Sequence, residues 1–357
     1  MSLPHPARIR RGMTFGFHAP RGFFETVQAR QDVDRMAELN VDTVCLVPTV
    51  MQELGTSTRQ FSDFEKTSSD FELMDIIDYI HGKGMEVELR PMIESFDGYG
   101  RLQIQFPPDQ SHRVAGMFSD KLERWFAGMR ARSRHYAKLA RRTDCAVYCL
   151  ESEVDHFVHL QNQWREVVEV VREVFDGEVT SCHTFHVDFE KVLEKEDHWF
   201  RDLDYLEIST YLRSENQPGF SVEDRVNFLR PAWGRFRRIA GLYAKPISLG
   251  EFGCTSCVGG GMNPWDWQVS ERYDGDEQAH HLEAYLRLLW EEPWFAGLNW
   301  WKWREHIDLP GFSTDPAGDK GFPVWGKPAA AVMREWYGRE DRRKGSTSVN
   351  LKSMNKF

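Results

Sequence analysis

Short apolar runs recur along this chain, and the stretches between them carry apolar residues every three or four positions. The runs predict strands over 12–17, 43–48, 86–92, 146–153, 179–185, 205–211, 247–253 and 297–303. They are nearly continuous in apolar character, as in parallel strands covered on both faces, and lack the in–out alternation of a half-exposed sheet. The intervening stretches predict helices over 71–81, 119–142, 164–175, 222–240, 277–290 and 328–336. The first of these has apolar residues at Phe71, Met74, Ile77 and Ile80 and stops at Gly82-Lys-Gly84, a sequence suited to a helix end. Eight strands alternating with helices, without an internal break, predict an α/β fold: a single (β/α)8 TIM barrel. Residues 94–116 and 254–276 predict long loops after strands three and seven, on the face that shapes a cleft in such barrels. Residues 1–338 are expected to form this one domain, and 339–357, polar and charged, a flexible tail.

Composition adds constraints. Hydrophobic residues make up 41% of the 357, enough for a large core. No run of 18 apolar residues occurs, so no membrane span is expected. The first residues lack the apolar stretch of a signal peptide, which points to the cytoplasm and leaves secretion open. A formal net charge of −10 disfavours nucleic acid and anionic membranes as partners and suits a neutral one. Of six cysteines, Cys45, Cys149 and Cys182 fall in predicted buried strands, where a thiol acts as a small apolar group. Cys254-Thr-Ser-Cys257 is a lone CxxC without the second pair that a zinc or redox reading needs. No cofactor is expected.

Two predicted strands end in carboxylates: Cys145-Ala-Val-Tyr-Cys-Leu-Glu-Ser-Glu153 and Pro246-Ile-Ser-Leu-Gly-Glu-Phe-Gly253. The C-terminal ends of barrel strands converge on one pocket, and two converging carboxylates suffice to cleave a glycosidic bond. Glu251 is the candidate nucleophile and Glu153 the candidate acid/base. Strict alternation puts Glu151 on the same face as Glu153, so Glu151 competes for that role. It would otherwise raise the proton affinity of Glu153 by like-charge repulsion, or pair with Arg90 at the end of strand three. On strand eight, alternation makes Asn299, Trp301 and Trp303 face together, and tryptophan faces stack on sugar rings. Tyr211, ending strand six, is within reach of Glu251. His183, His186 and Asp188 at the end of strand five form the alternative, a metal site. His280-His281 lies on a predicted helix and is expected at the surface.

These residues resemble glycoside hydrolase family 113, in the clan of retaining (β/α)8 glycosidases that includes β-mannanases. The likeness runs from Gly12 to about Tyr337. It is carried by Cys149-Leu-Glu-Ser-Glu-Val154, Leu203-Asp-Tyr-Leu-Glu-Ile-Ser-Thr-Tyr211, Lys245-Pro-Ile-Ser-Leu-Gly-Glu-Phe-Gly253, Pro264-Trp-Asp-Trp267, Glu292-Pro-Trp-Phe-Ala-Gly-Leu-Asn-Trp-Trp-Lys-Trp303 and Gly326-Lys-Pro-Ala329. The resemblance implies Glu153 as acid/base, Glu251 as nucleophile, Tyr211 beside the nucleophile and Trp301 under the −1 sugar. Arg90, Glu151, Phe185, Trp265, Asn299 and Trp303 are the further candidates for binding the substrate. The chain departs from the family pattern at Val50-Met51, at Arg90-Pro-Met-Ile-Glu94 around Met92, and at Thr184-Phe185, positions that help hold the sugar. The expected activity is retaining hydrolysis of a neutral β-linked glycan or oligosaccharide, with β-1,4-mannan the first substrate. The other readings are a non-catalytic glycan-binding barrel and a metal-dependent hydrolase.

Overall fold

The computed structural model describes residues 3–106, 121–184, 198–267, 271–304 and 319–340. Eight strands close into a parallel barrel: β1 (Arg10–Phe15), β2 (Thr43–Leu46), β5 (Glu86–Leu89), β7 (Val147–Ser152), β8 (Glu178–Thr184), β9 (Leu206–Ser209), β10 (Ile247–Phe252) and β11 (Phe295–Trp300). Each strand pairs with its sequence neighbour in the barrel, and β1 closes against β11 with Arg10 opposite Gly297. Most strands end one to three residues earlier than the apolar runs suggest, because the residues beyond leave the ladder to form the cleft. Residues 341–357, most of the expected tail, lie outside the described residues.

Three further strands form a small sheet that apolar patterning does not reveal. β3 (Thr49–Gln52) pairs parallel with β6 (Met92–Ser95) and antiparallel with β4 (Gln60–Phe61). It occupies the loops after β2 and β5 and carries Met51 and Glu94 to one wall of the cleft. Residues 86–92, expected as one strand, are thus divided between β5 and β6 by Arg90 and Pro91.

The outer ring holds α1 (Val27–Glu38), α2 (Asp70–Gly82), α3 (Lys121–Arg142), α4 (Gln161–Arg172), α5 (Val222–Tyr243), α6 (Gly275–Leu289) and α7 (Pro328–Tyr337). Ser69 caps α2 by accepting from the Glu72 amide while Glu72 returns to the Ser69 amide, and Ser221 and Asp224 do the same for α5. Such reciprocal capping satisfies amides that the helix itself leaves unbonded. α3 turns Trp125, Phe126, Met129, Tyr136, Ala137 and Ala140 inward, and each large apolar side chain so buried stabilises the fold by roughly 1.5–3 kcal/mol. His281, expected at the surface, is fully buried on α6, with its Nδ1 2.8 Å from Ser214 Oγ and its ring stacked on Phe252. The apolar stripe of α6 is wider than the sequence suggested, because α5 and α7 cover it on both sides.

The barrel interior is polar. Arg90 Nη2 donates to Glu88 Oε1 at 2.5 Å and to Glu207 Oε2 at 2.7 Å, and its Nη1 donates to the Gly250 carbonyl at 2.8 Å. Asn299 Nδ2 donates to Glu88 at 3.0 Å and Glu207 at 3.3 Å. All four side chains are buried. Burial pushes Glu207 up to about 8, against the pull of Arg90. Polar groups so deep are tolerated because each has a bonded partner.

Candidate active site

Both candidate carboxylates sit where the barrel ladder slips. The β7–β8 register shifts between Cys149 and Ser152, and the β9–β10 register shifts between Leu249 and Glu251. Such bulges re-aim side chains and occur beside active sites. After the first shift β7 ends at Ser152, and Glu153 takes a left-handed backbone conformation with φ 60°, strained for a residue with a Cβ. Glu153 turns into the cleft. Glu151, fully buried, turns the other way and accepts from Arg132 of α3 at 2.5 Å and from its neighbour's amide, Ser152 N, at 2.9 Å. The expectation that Glu151 and Glu153 share a face is therefore corrected: the bulge breaks the alternation. Glu151 pairs with Arg132, not with Arg90.

Glu251 lies on the cavity floor, its side chain 3% exposed. Its Oε1 accepts from Ser152 Oγ at 2.5 Å, and its Oε2 from the Tyr211 hydroxyl at 3.4 Å. Glu153 Oε1 accepts from Ser209 Oγ at 2.6 Å, with Thr184 Oγ1 at 3.5 Å. One nitrogen, Arg101 Nη2, lies 3.2 Å from Glu153 and 3.8 Å from Glu251. The two carboxyl groups thus face each other across one nitrogen, as the catalytic pair of a retaining glycosidase does across the sugar. Burial first, and then the neighbouring Glu153, push Glu251 up to about 7, while Arg101, Arg90 and the Ser152 hydroxyl pull it down.

These groups open into a cavity of about 1010 Å³. Phe17, Met92, Trp301 and Phe322 pack with Tyr211 as an apolar cluster under it, with the Phe17 and Trp301 rings 4.8 Å apart. Trp265, Trp267 and Phe96 also line the cavity and stand half-exposed. Tyr211, Trp301 and Trp265 thus line the cavity with Glu153 and Glu251. Arg90 and Asn299 lie below it in the barrel interior. Trp303 leaves the strand direction and packs against Trp325, its ring 5.9 Å away, because the chain beyond β11 no longer alternates. Phe185, His186 and Asp188 lie outside the described residues. His183 is buried against Asp155 and Ser181, 3.0 Å from each, and it packs on Trp199 and Phe200 behind the wall of the cleft. Of the positions departing from the family pattern, Met51, Glu94 and Thr184 line the cavity.

Sequence reasoning missed Arg101, Ser152, Ser209 and Phe17. Ser152 stands between the two glutamates of a quoted motif and Ser209 within another, so their signal was present. Arg101 had none: its place depends on a loop folding back over the barrel.

A closed parallel barrel with a facing pair of glutamates at its C-terminal mouth defines a barrel glycosidase. The sequence profile of Glycoside Hydrolase Family 113 matches residues 13–327, and the chain belongs to that family. It is a retaining β-glycoside hydrolase, and its substrate is a carbohydrate. Among solved structures it is similar to a GH113 β-1,4-mannanase with 24% identity and a TM-score of 0.80, over 93% of this chain and 99% of that one. A GH113 β-1,4-mannanase complex matches with 22% identity and a TM-score of 0.78, over 93% and 100%. The β-mannanase AaManA from Alicyclobacillus acidocaldarius matches with 27% identity and a TM-score of 0.78, over 93% and 97%. Among curated protein sequences nothing matches significantly.

Proposed function

We propose that this enzyme hydrolyses β-1,4-linked mannan or manno-oligosaccharide by double displacement, with Glu251 as nucleophile and Glu153 as acid/base. The observation that carries the reading is the facing pair itself: one carboxylate deep on the floor and one at the wall, beside the same point in an aromatic cavity. In the first step a Glu251 oxygen attacks C1 of the −1 sugar, and Glu153 gives its proton to the departing glycosidic oxygen. In the second, Glu153 takes a proton from water, whose oxygen attacks C1 and releases Glu251. The hydroxyls of Ser152 and Tyr211 donate to Glu251 and favour its charged form against the burial that raises its pKa. Trp301 lies under the −1 position, and Trp265 offers a ring face to a neighbouring sugar. The net charge of −10 suits an uncharged glycan.

A panel of β-1,4-linked manno-, gluco- and xylo-oligosaccharides, read by product chromatography, tests the substrate. Manno-oligosaccharides should be cleaved fastest, releasing the β-anomer first. Initial release of the α-anomer overturns the mechanism, and preference for another sugar overturns the substrate.

A further inference from the structure

Arg101 is the least expected residue of the cleft. It comes from a single 3-10 turn, Arg101–Gln103, beyond β6. Its side chain is 9% exposed. Nη1 donates to Glu94, while Nη2 reaches Glu153 at 3.2 Å and Glu251 at 3.8 Å. The guanidinium carbon lies over the Phe17 ring, 5.1 Å from its centroid.

In this position the side chain opposes the reaction. A general acid must hold a proton, and a guanidinium in contact favours the ionised carboxylate. Arg101 also fills space beside both carboxyl groups, where the anomeric carbon and the leaving oxygen must lie. Glu94 offers the way out. It sits on β6, its side chain 13% exposed, and it holds the other terminal nitrogen of the guanidinium. The side chain can therefore pivot on Glu94 and give up only its longer contacts. Other charged and titratable groups stand nearby. Arg90 lies below Glu251, the Tyr211 hydroxyl faces it, Glu151 is turned toward Arg132, and Cys182 of β8 is close enough to influence Tyr211. Lys302, beyond β11, lies over the Phe17 ring at 4.8 Å, and His18 and Lys66 line the cavity.

We propose that Arg101 is a positioning residue anchored by Glu94: it spans Glu153 and Glu251 in the free enzyme and releases Glu153 when a glycan arrives, so that the general acid takes up its proton with substrate in place. The inference rests on the assignment of Glu153 and Glu251 above. The proton comes from solvent water to a Glu153 oxygen, and the guanidinium stays charged and paired with Glu94.

Arg101→Met keeps the length of the side chain and removes the charge. The pH profile of kcat/KM reports the free enzyme, and that of kcat the substrate complex. In the variant the kcat/KM profile should move to higher pH by roughly 1–3 units, because both carboxyl groups lose a contacting cation. The basic limb of kcat should move far less, because in the complex Arg101 has already left Glu153. Glu94→Gln removes the anchor and a neighbouring negative charge, and should move the kcat/KM profile the opposite way, to lower pH. Equal displacement of both profiles in Arg101→Met, or no displacement in either variant, overturns the proposal. A carbon-13 NMR titration of glutamate carboxyls in the substrate-free protein is independent of turnover. It should show the same upward shift in Arg101→Met. An unshifted titration in an enzyme that cleaves its glycan overturns the role of Arg101 alone. A shifted titration in a protein that cleaves nothing on the panel supports the coupling of Arg101 to the pair and removes the assigned reaction.

Discussion

Glu151 and Glu153 are two residues apart, yet their replacement by glutamine should have opposite consequences. Glu151 is fully buried beneath α3 and bonded to Arg132, itself buried. Glu151→Gln removes one charge of a buried pair and strands the other, at a cost of about 3–5 kcal/mol. In a chain of this size each kcal/mol lowers Tm by roughly 1–2 °C, so the midpoint should fall by roughly 3–10 °C. Well below that midpoint kcat should hardly change, because the side chain does not reach the cleft. Glu153→Gln should leave Tm within a few degrees. Its kcat should drop about 10²–10⁴-fold on manno-oligosaccharides, the range that general acid–base catalysis supplies. On an activated aryl glycoside the first step should be almost unaffected, because a good leaving group needs no proton. Differential scanning calorimetry and steady-state kinetics on both substrate types read the two effects. Replacing the whole pair with methionine, Glu151→Met with Arg132→Met, should recover most of the lost stability, since no charge is then stranded. A loss in Glu151→Gln that depends on the leaving group, or an unchanged Tm, would refute the reading that the bulge in β7 turns this residue away from the chemistry.

Further outcomes follow from the same geometry. A 2-deoxy-2-fluoro mannoside should trap a covalent adduct, and peptide mass mapping should place it on the peptide containing Glu251; a label on Glu94 or Glu153 would contradict the assignment. Glu251 is raised in the fold to about 7 from an ordinary 4.5, so its contribution to stability is present below about pH 4.5 and lost as pH rises through about 7. Glu251→Gln should therefore raise Tm at pH 8, by an amount equivalent to about 3 kcal/mol, and the gain should vanish toward pH 4.5; an equal gain at both pH values would show that burial of its charge is not the cause. Gly250→Ala should cost about 1–3 kcal/mol and also lower kcat, because a Cβ there would lie 2.6 Å from Cys182 Sγ and 2.8 Å from Glu207 Cβ, pushing the adjacent Glu251 out of place. Wild-type Tm and kcat in that variant would argue that the interior has room.

The alternation of apolar runs with helical stretches was enough to read eight parallel strands in a barrel, because burial on both faces leaves an uninterrupted apolar signature. Local periodicity also contained α1, where Ala29, Val33 and Met36 are buried at helical spacing, although the prediction passed over it. The two glutamates stood out as carboxylates at strand ends, and the barrel topology makes such ends converge whatever the details. The choice between Glu151 and Glu153 belonged to the tertiary structure. Parity counts side chains on a regular pleat, and one slip of the β7–β8 ladder with a left-handed residue after it reverses the count. The same limit applies at the end of the eighth strand, where Trp301 reaches the cleft and Trp303 goes to the outer core. Arg90 was legible as a strand-end cation, but only the pairing of Glu88, Glu207 and Asn299 around it made burial in the barrel more favourable than the cleft. The β3–β4–β6 sheet and Arg101 had no local signal. Both arise from contacts between segments distant in sequence, and hydrogen bonds and charges of that kind leave no periodic trace in the segments that make them.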